Sequence, residues 1–228
     1  TIEEVSMSNS NKLQLVSFKV CPFAQRAAIA LQEKKVPYET EYLTPGDDQP
    51  EWFKKISPLG KVPVLVVDGT PVFESAVILE YLDEVYAPQL HPTDPLAKAR
   101  QRAWMEVASE LFSKQYQMVT AKDSAGFETA KQELQAGLDR VTAALGTEEP
   151  FFGGSRFALV DAAFAPLFLR LSILERVFKL EFITNPRLRT WSNMLLAKDS
   201  VKNSVVPNFE EVFMMFVKKS DGYLVNNL

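Results

Sequence analysis

The pattern of apolar positions along this chain changes near residue 90. Before it, short apolar runs alternate with helical ones. Residues 13–18 and 38–43 read as strands, the second bounded by Pro37 and Pro45-Gly46, and 24–34 is an Ala/Leu/Gln/Glu/Lys run of high helix propensity. A short helix starts at Pro50 and carries Trp52 and Phe53. Residues 64–67 and 72–73 are strand-like, and the Asp68-Gly69-Thr70-Pro71 between them signals a hairpin. Ser75 is placed to cap a third helix with Val77, Ile78, Leu82 and Val85 on its apolar face. The order β-α-β-α-β-β-α predicts a mixed sheet with helices on its faces.

Residues 87–95, with Pro88, Pro92 and Pro95, read as a linker, which divides the chain into an α/β unit at 1–86 and a unit at 96–228. Nothing beyond the linker has a strand pattern. Residues 98–119, 127–145 and 158–178 are helical, the last apolar almost throughout and so expected at the centre of its unit. Asn185-Pro186 opens a further helix by the Asn-cap and first-turn proline rule. Phe209, Phe213, Met214 and Phe216 in the tail are expected to fold back over the core or a pocket.

One motif adds chemistry. Cys21-Pro22-Phe23-Ala24 stands where the first strand hands over to the first helix. Proline suits the first helical position, which puts the Cys21 sulfur beside unpaired N–H groups and the positive end of the helix dipole. That setting favours thiolate. An ordinary thiol, with a pKa of about 8.5, is only roughly 3% ionised at neutral pH. The dipole supplies about 0.3–1 kcal/mol, so most of any downward shift must come from N–H groups donating directly to the sulfur.

Composition narrows the rest. A hydrophobic content of 46% in 228 residues supports a substantial core. The net charge of −4, without a Lys/Arg block, argues against nucleic-acid binding. No apolar run is long enough to cross a membrane, and Thr1-Ile2-Glu3-Glu4 lacks the signal-peptide pattern. One cysteine leaves no material for an internal disulfide or a cysteine zinc site, and a single histidine leaves almost none for metal catalysis or a Cys–His pair, so no metal is expected and a reducing, cytoplasmic setting fits. His91, beside Pro92, reads as a surface residue, and Arg26 as a structural one.

Five motifs in order, Cys21-Pro22-Phe23-Ala24-Gln25-Arg26, Pro50-Glu51-Trp52-Phe53, Lys61-Val62-Pro63-Val64-Leu65, Phe73-Glu74-Ser75 and Glu80-Tyr81-Leu82-Asp83, resemble the cytosolic glutathione transferases. The likeness spans essentially the whole chain and is nearest to the cysteine-type, omega-like members and the related dehydroascorbate reductases. It implies a thioredoxin-like domain with a mixed four-stranded sheet, an all-α C-terminal domain, and a homodimer. It also implies that glutathione is the co-substrate. In the family Val62 precedes a cis proline, Pro63, and its backbone pairs with the glutathione cysteinyl backbone. Ser75 holds the γ-glutamyl carboxylate, Glu74 complements the amine, Lys61 reaches the glycine carboxylate, and Phe23 belongs to the same site. Two departures stand out. Gln49 occupies the place of a lysine common in omega-like members, and Ala158-Leu159-Val160-Asp161 lacks the Ser or Thr half of a capping box.

Most members of that family place Tyr or Ser where this chain has Cys21. A cysteine implies covalent chemistry: its thiolate attacks a glutathione mixed disulfide, and a second glutathione resolves the product. A small disulfide, dehydroascorbate or another electrophile would serve as acceptor. Trp104, Ala108, Phe112 and Tyr116 are candidate walls of an acceptor pocket between the domains. Two other functions stay open: conjugation with Cys21 merely holding the glutathione thiolate, and a non-enzymatic partner-binding protein on the same scaffold.

Overall fold

The computed structural model describes residues 12–46, 48–146 and 150–228, so the expectation about Thr1-Ile2-Glu3-Glu4 lies outside the described residues. The first unit runs β1 (Leu13–Ser17), α1 (Pro22–Glu33), β2 (Glu39–Tyr42), α2 (Glu51–Ile56), β3 (Val64–Val67), β4 (Thr70–Phe73) and α3 (Ser75–Val85). Its sheet has the order β2-β1-β3-β4. β1 pairs parallel with β2 and antiparallel with β3, and β3 pairs antiparallel with β4. The hairpin is tighter than the sequence suggested. Thr70 pairs with Val67, leaving a two-residue turn in which Asp68 (φ 48°) and Gly69 (φ 86°) both take the left-handed conformation such a turn requires.

Period-two alternation splits the sheet's side chains between two faces. Leu13, Leu15 and Leu65 pack with Ile29 and Leu31 of α1 and Ile78, Leu79 and Leu82 of α3. Val16 and Val64 point the other way, onto Phe53 of α2. Of the expected apolar face of α3, Ile78 and Leu82 are buried but Val77 and Val85 are exposed, because Leu79 takes the inward position. Ser75 is likewise the first helical residue rather than the cap. Glu74 holds the cap position at φ 67° and its side chain makes no capping hydrogen bond. A non-glycine residue at positive φ is strained backbone of the kind that collects at functional sites.

The second unit is helical: α4 (Pro95–Thr120), α5 (Ser124–Ala144), α6 (Leu159–Phe178), α7 (Pro186–Ala197), α8 (Asp199–Lys202), α9 (Phe209–Lys219) and α10 (Tyr223–Asn227). Pro95, expected as the last residue of the linker, opens α4, with Asp94 accepting from the Ala97 N–H at 2.7 Å. α6 is buried nearly throughout and packs against both α4 and α1, so it joins the two units. α4 and α5 approach closely enough that a Cβ on Gly137 would lie 2.2 Å from Leu111 Cδ2. Asp161 supplies the half of the capping box that remains, and its own N–H donates to the Ala158 carbonyl at 3.0 Å. It accepts from the N–H groups of Ala158 (2.8 Å) and Phe152 (3.0 Å) and from Trp191 Nε1 (2.7 Å).

The segment between α3 and α4 is held by a buried ion pair. Lys34 Nζ donates to Asp83 Oδ1 at 2.8 Å and to the carbonyls of Tyr86 and Pro88. Asp83 in turn accepts the N–H groups of Leu90 and His91. Those bonds pull His91 inside, where it is 4% exposed and its Nε2 bonds Glu80 Oε1 at 2.7 Å. The expected surface histidine is therefore a core residue.

Candidate functional site

Two concavities flank the start of α1. The smaller, about 280 Å³, is lined by Phe23, Ser57, Leu59, Lys61, Val62, Pro63, Phe73, Glu74 and Ser75. Thus the structure brings together all six residues singled out in the sequence for one ligand, and adds Ser57, Leu59 and Phe73. The Val62–Pro63 peptide is cis. Val62 stands just before the β3–β4 and β1–β3 ladders, so its backbone is not part of either. Ser57 pins the approach to it: its hydroxyl donates to the Lys61 carbonyl at 2.8 Å and accepts the Lys61 N–H at 2.9 Å.

Ser75, at the N-terminus of α3, is buried, and its Oγ accepts Arg26 Nη2 at 2.7 Å and Nε at 3.0 Å. With both acceptor directions taken by a guanidinium, the hydroxyl proton is free to donate into the cavity. Arg26 also reaches Ser109 Oγ (3.1 Å) and lies over the Phe23 ring, so it is structural in the sense expected: it fixes two lining residues at once. Gln49 is not a lining residue. Its Nε2 donates to the Thr44 and Gly46 carbonyls and ties its own loop.

The larger cleft, about 770 Å³, lies between the units and is bordered by Lys19, Val20, residues 42–45, Tyr116 and α9. Of the four expected acceptor-pocket residues only Tyr116 reaches it. Ala108 and Phe112 are buried in the core, Phe112 edge-on to Phe23 at 5.1 Å, and Trp104 packs on Phe152 at 5.6 Å. The reason is helical geometry: a stripe at every fourth residue drifts about 40° per step, so Trp104 and Tyr116 are about 120° apart around α4. The aromatic tail does fold back. Phe209 and Phe213 enter the core, while Met215 and Phe216 border the cleft.

Cys21 lines neither concavity but a narrow crevice with Gln25, Thr40 and Ser204, which shares Lys19 and Tyr42 with the large cleft. Val20 before Cys21 lines the cleft and Phe23 after it lines the cavity. It is partly buried, caps α1 with extended backbone, and has Pro22 as the first helical residue. Its thiol nevertheless sits above the ordinary cysteine value. Burial pushes it up, and the opposing influences do not cancel that: the N–H groups of Ala24 and Phe23 directed at the sulfur, and the charges of Arg170 and Arg26. The helix-terminal donors are present as expected, but desolvation outweighs them and reverses the predicted sign.

Arg170 was not legible in the sequence. It lies on α6, 149 residues from Cys21 by number (170 − 21), and buried, where its Nη2 donates to the Val20 carbonyl at 2.9 Å and its Nη1 to Gln25 Oε1 at 2.6 Å and the Pro166 carbonyl at 2.8 Å. Its guanidinium stacks over Phe209 at 5.0 Å and Phe213 at 5.9 Å. Among the described residues no carboxylate pairs with it, and burial draws its pKa down to about 9 against the pull of Cys21. A buried cation without an acid beside it is costly, and here it faces the turn that carries the thiol. The described residues contain no cluster suited to holding a metal, and no helix among them is long and apolar enough to cross a membrane.

The glutathione S-transferase N-terminal domain model matches residues 20–85, and the glutathione S-transferase C-terminal domain model matches residues 124–193. Glutathione S-transferase omega-1 of Rattus norvegicus is 32% identical over 79% of this chain and 75% of its own length. Glutathione S-transferase DHAR2 of Arabidopsis thaliana is 33% identical over 81% of this chain and 83% of its own. Among solved structures, rice GST1 in complex with glutathione superposes with a TM-score of 0.81 at 28% identity, covering 93% of this chain and 99% of the other. Glutathione transferase Omega 3C from Trametes versicolor gives 0.75 at 27% identity, covering 85% and 88%.

Proposed function

Since this chain belongs to the glutathione S-transferase family, we propose that it is a thiol transferase in which Cys21 is the nucleophile and glutathione both substrate and reductant. The observation that carries the reading is the position of the sole thiol at the start of α1, next in the chain to Val20 of the large cleft and two residues before Phe23 of the small cavity, with two backbone N–H groups on its sulfur. In this reading glutathione lies in the small cavity. The Ser75 hydroxyl and N–H and the start of α3 receive its γ-glutamyl carboxylate. Glu74 meets the amine, the Val62 backbone pairs with the cysteinyl backbone, and Lys61 reaches the glycine carboxylate. Phe23 closes the floor.

The chemistry balances in two steps. The Cys21 thiolate attacks the glutathionyl sulfur of a mixed disulfide, a Cys21–glutathione disulfide forms, and the second thiol leaves as its thiolate and takes a proton from solvent. A second glutathione thiolate then attacks the glutathionyl sulfur, releasing oxidised glutathione and the Cys21 thiolate. With dehydroascorbate as acceptor, the Cys21 thiolate adds to a carbonyl carbon, one glutathione thiolate attacks the Cys21 sulfur and expels ascorbate, and a second glutathione resolves the resulting Cys21–glutathione disulfide, so two glutathione thiols supply the two electrons and two protons. Among the described residues no carboxylate or imidazole acts on the sulfur, and His91, the sole histidine, is buried against Glu80. Because burial holds the thiol high, the rate should climb with pH as Cys21 ionises. The N–H groups of Phe23 and Ala24 and the Arg170 charge limit that penalty.

The test is Cys21→Ser. A serine cannot form a disulfide, so reduction of disulfides and of dehydroascorbate should fall to background, and no glutathionyl adduct should appear by intact mass after oxidised glutathione is added. The serine hydroxyl still donates to a bound thiolate, so conjugation to an activated aryl halide should persist or rise. Thiol transfer surviving in the variant would show that Cys21 is not the nucleophile.

A further inference from the structure

The large cleft has a charge that the thiol-transfer reading does not require. Its lining includes three lysines, Lys19, Lys122 and Lys219, and no carboxylate. They come from three separate places: the turn before Cys21, the residue after the α4 C-cap, and the last turn of α9. Among the described residues none of the three has a carboxylate within ion-pair distance, although the protein as a whole is acidic, with 29 Asp and Glu against 25 Lys and Arg. Lys122 is held in place, its Nζ donating to the carbonyls of Ser220 at 2.7 Å and Asp221 at 3.1 Å. The rest of the lining is largely apolar or aromatic. Tyr116 stacks on Phe216 at 6.1 Å, 58% exposed itself, and Tyr42, Leu43, Val212 and Met215 complete the wall.

A neutral apolar acceptor would leave these cations with no role in binding, and a polar anion would waste the aromatic walls. We infer that the cleft selects acceptors with a flat aromatic body and an anionic substituent, presented as the mixed disulfide of an aryl thiol with glutathione. This rests on the thiol-transfer reading above. The glutathionyl half lies in the small cavity, the aryl half lies against Tyr116 and Phe216, and its carboxylate or sulfonate is met by Lys19 and Lys219. Attack by Cys21 on the glutathionyl sulfur breaks the S–S bond and leaves the arylthiolate in the cleft. That leaving group carries two negative charges as it departs, its own and the substituent's, and the lysines stabilise both. They are exposed, so the effect is screened by salt and modest per residue.

Two substrates of nearly equal shape test this: the glutathione mixed disulfides of 4-mercaptobenzoic acid and of 4-mercaptobenzamide. At low ionic strength the wild-type protein should turn over the acid roughly tenfold better in kcat/KM, and that ratio should shrink as salt is added. In Lys19→Gln/Lys219→Gln the ratio of the two substrates should fall close to one. Because both are measured on the same protein, the ratio is insensitive to any loss of folded material. Equal turnover of acid and amide by the wild type, or an unchanged ratio in the double variant, overturns the inference while leaving thiol transfer intact. Failure to turn over either disulfide, with Cys21 unmodified, overturns thiol transfer itself and this inference with it.

Discussion

Replacing Arg170 by Met removes the charge that most favours the Cys21 thiolate while keeping a long, flexible side chain in place. An opposite charge within about 4–6 Å moves a titration by roughly 1–3 units. Arg170 contacts the Val20 carbonyl rather than the sulfur, and its charge holds the thiol below where burial alone would put it. Since the site is buried, salt screens this interaction much less than a surface pair. The rate of alkylation of Cys21 by iodoacetamide, followed against pH, reads the titration directly. The wild-type midpoint should lie above the ordinary thiol value of about 8.5, and Arg170→Met should raise it further, slowing alkylation at neutral pH. Arg170→Lys, which keeps the charge but loses the forked hydrogen bonds to Val20 and Gln25, should recover most of the shift. Unchanged midpoints in both variants would mean that Arg170 only braces the turn. A wild-type midpoint below neutrality would mean that the helix N-terminus outweighs burial after all.

Ser75→Ala should weaken glutathione binding in calorimetry by roughly 1–3 kcal/mol through loss of a charge-assisted hydrogen bond, with the Cys21 titration unmoved; unchanged affinity would mean the backbone alone holds the carboxylate. Asp83→Ala strands the buried Lys34 ammonium and should cost about 3–5 kcal/mol in urea unfolding, a value near zero refuting the clamp. Burial would raise the Asp83 carboxyl, but Lys34 and the Leu90 and His91 amides outweigh it and hold it below the usual range. Its stabilisation is therefore complete above about pH 4 and lost as pH falls through the lower folded value, so the wild type should lose stability in acid and Asp83→Ala should lose less. A dimer pairing the α/β unit of one subunit with the helical unit of the other should appear in sedimentation at micromolar concentration; a monomer there would contradict it.

Much of this was legible because it is local. Short apolar runs placed β1, β3 and β4, Asp68-Gly69 marked the turn, and Pro22 marked the first helical residue that sets Cys21 at a helix start. The small cavity was legible for a different reason: its residues lie in short motifs whose order along the chain resembles a known family. What escaped is what depends on packing between distant segments. The expected surface position of His91 failed because the chain after α3 turns back on it, so that Asp83 and Glu80 of that helix supply its partners. The Trp104-to-Tyr116 stripe failed because only the rest of the fold decides which side of α4 meets the cleft. Arg170 looked like any cation in an apolar helix; its meaning comes from α6 crossing under α1. The sign of the Cys21 shift followed the same pattern, since donors can be counted from a motif and burial cannot.

The central claim, that catalysis passes through a disulfide between Cys21 and glutathione, is tested most directly by rapid-quench mass spectrometry of the protein during turnover of a glutathione mixed disulfide. The account predicts an adduct of one glutathionyl group on Cys21 that forms at least as fast as the steady-state rate and disappears at a matching rate when reduced glutathione is added. An adduct that forms or decays more slowly than turnover, or no adduct while product accumulates, would contradict it.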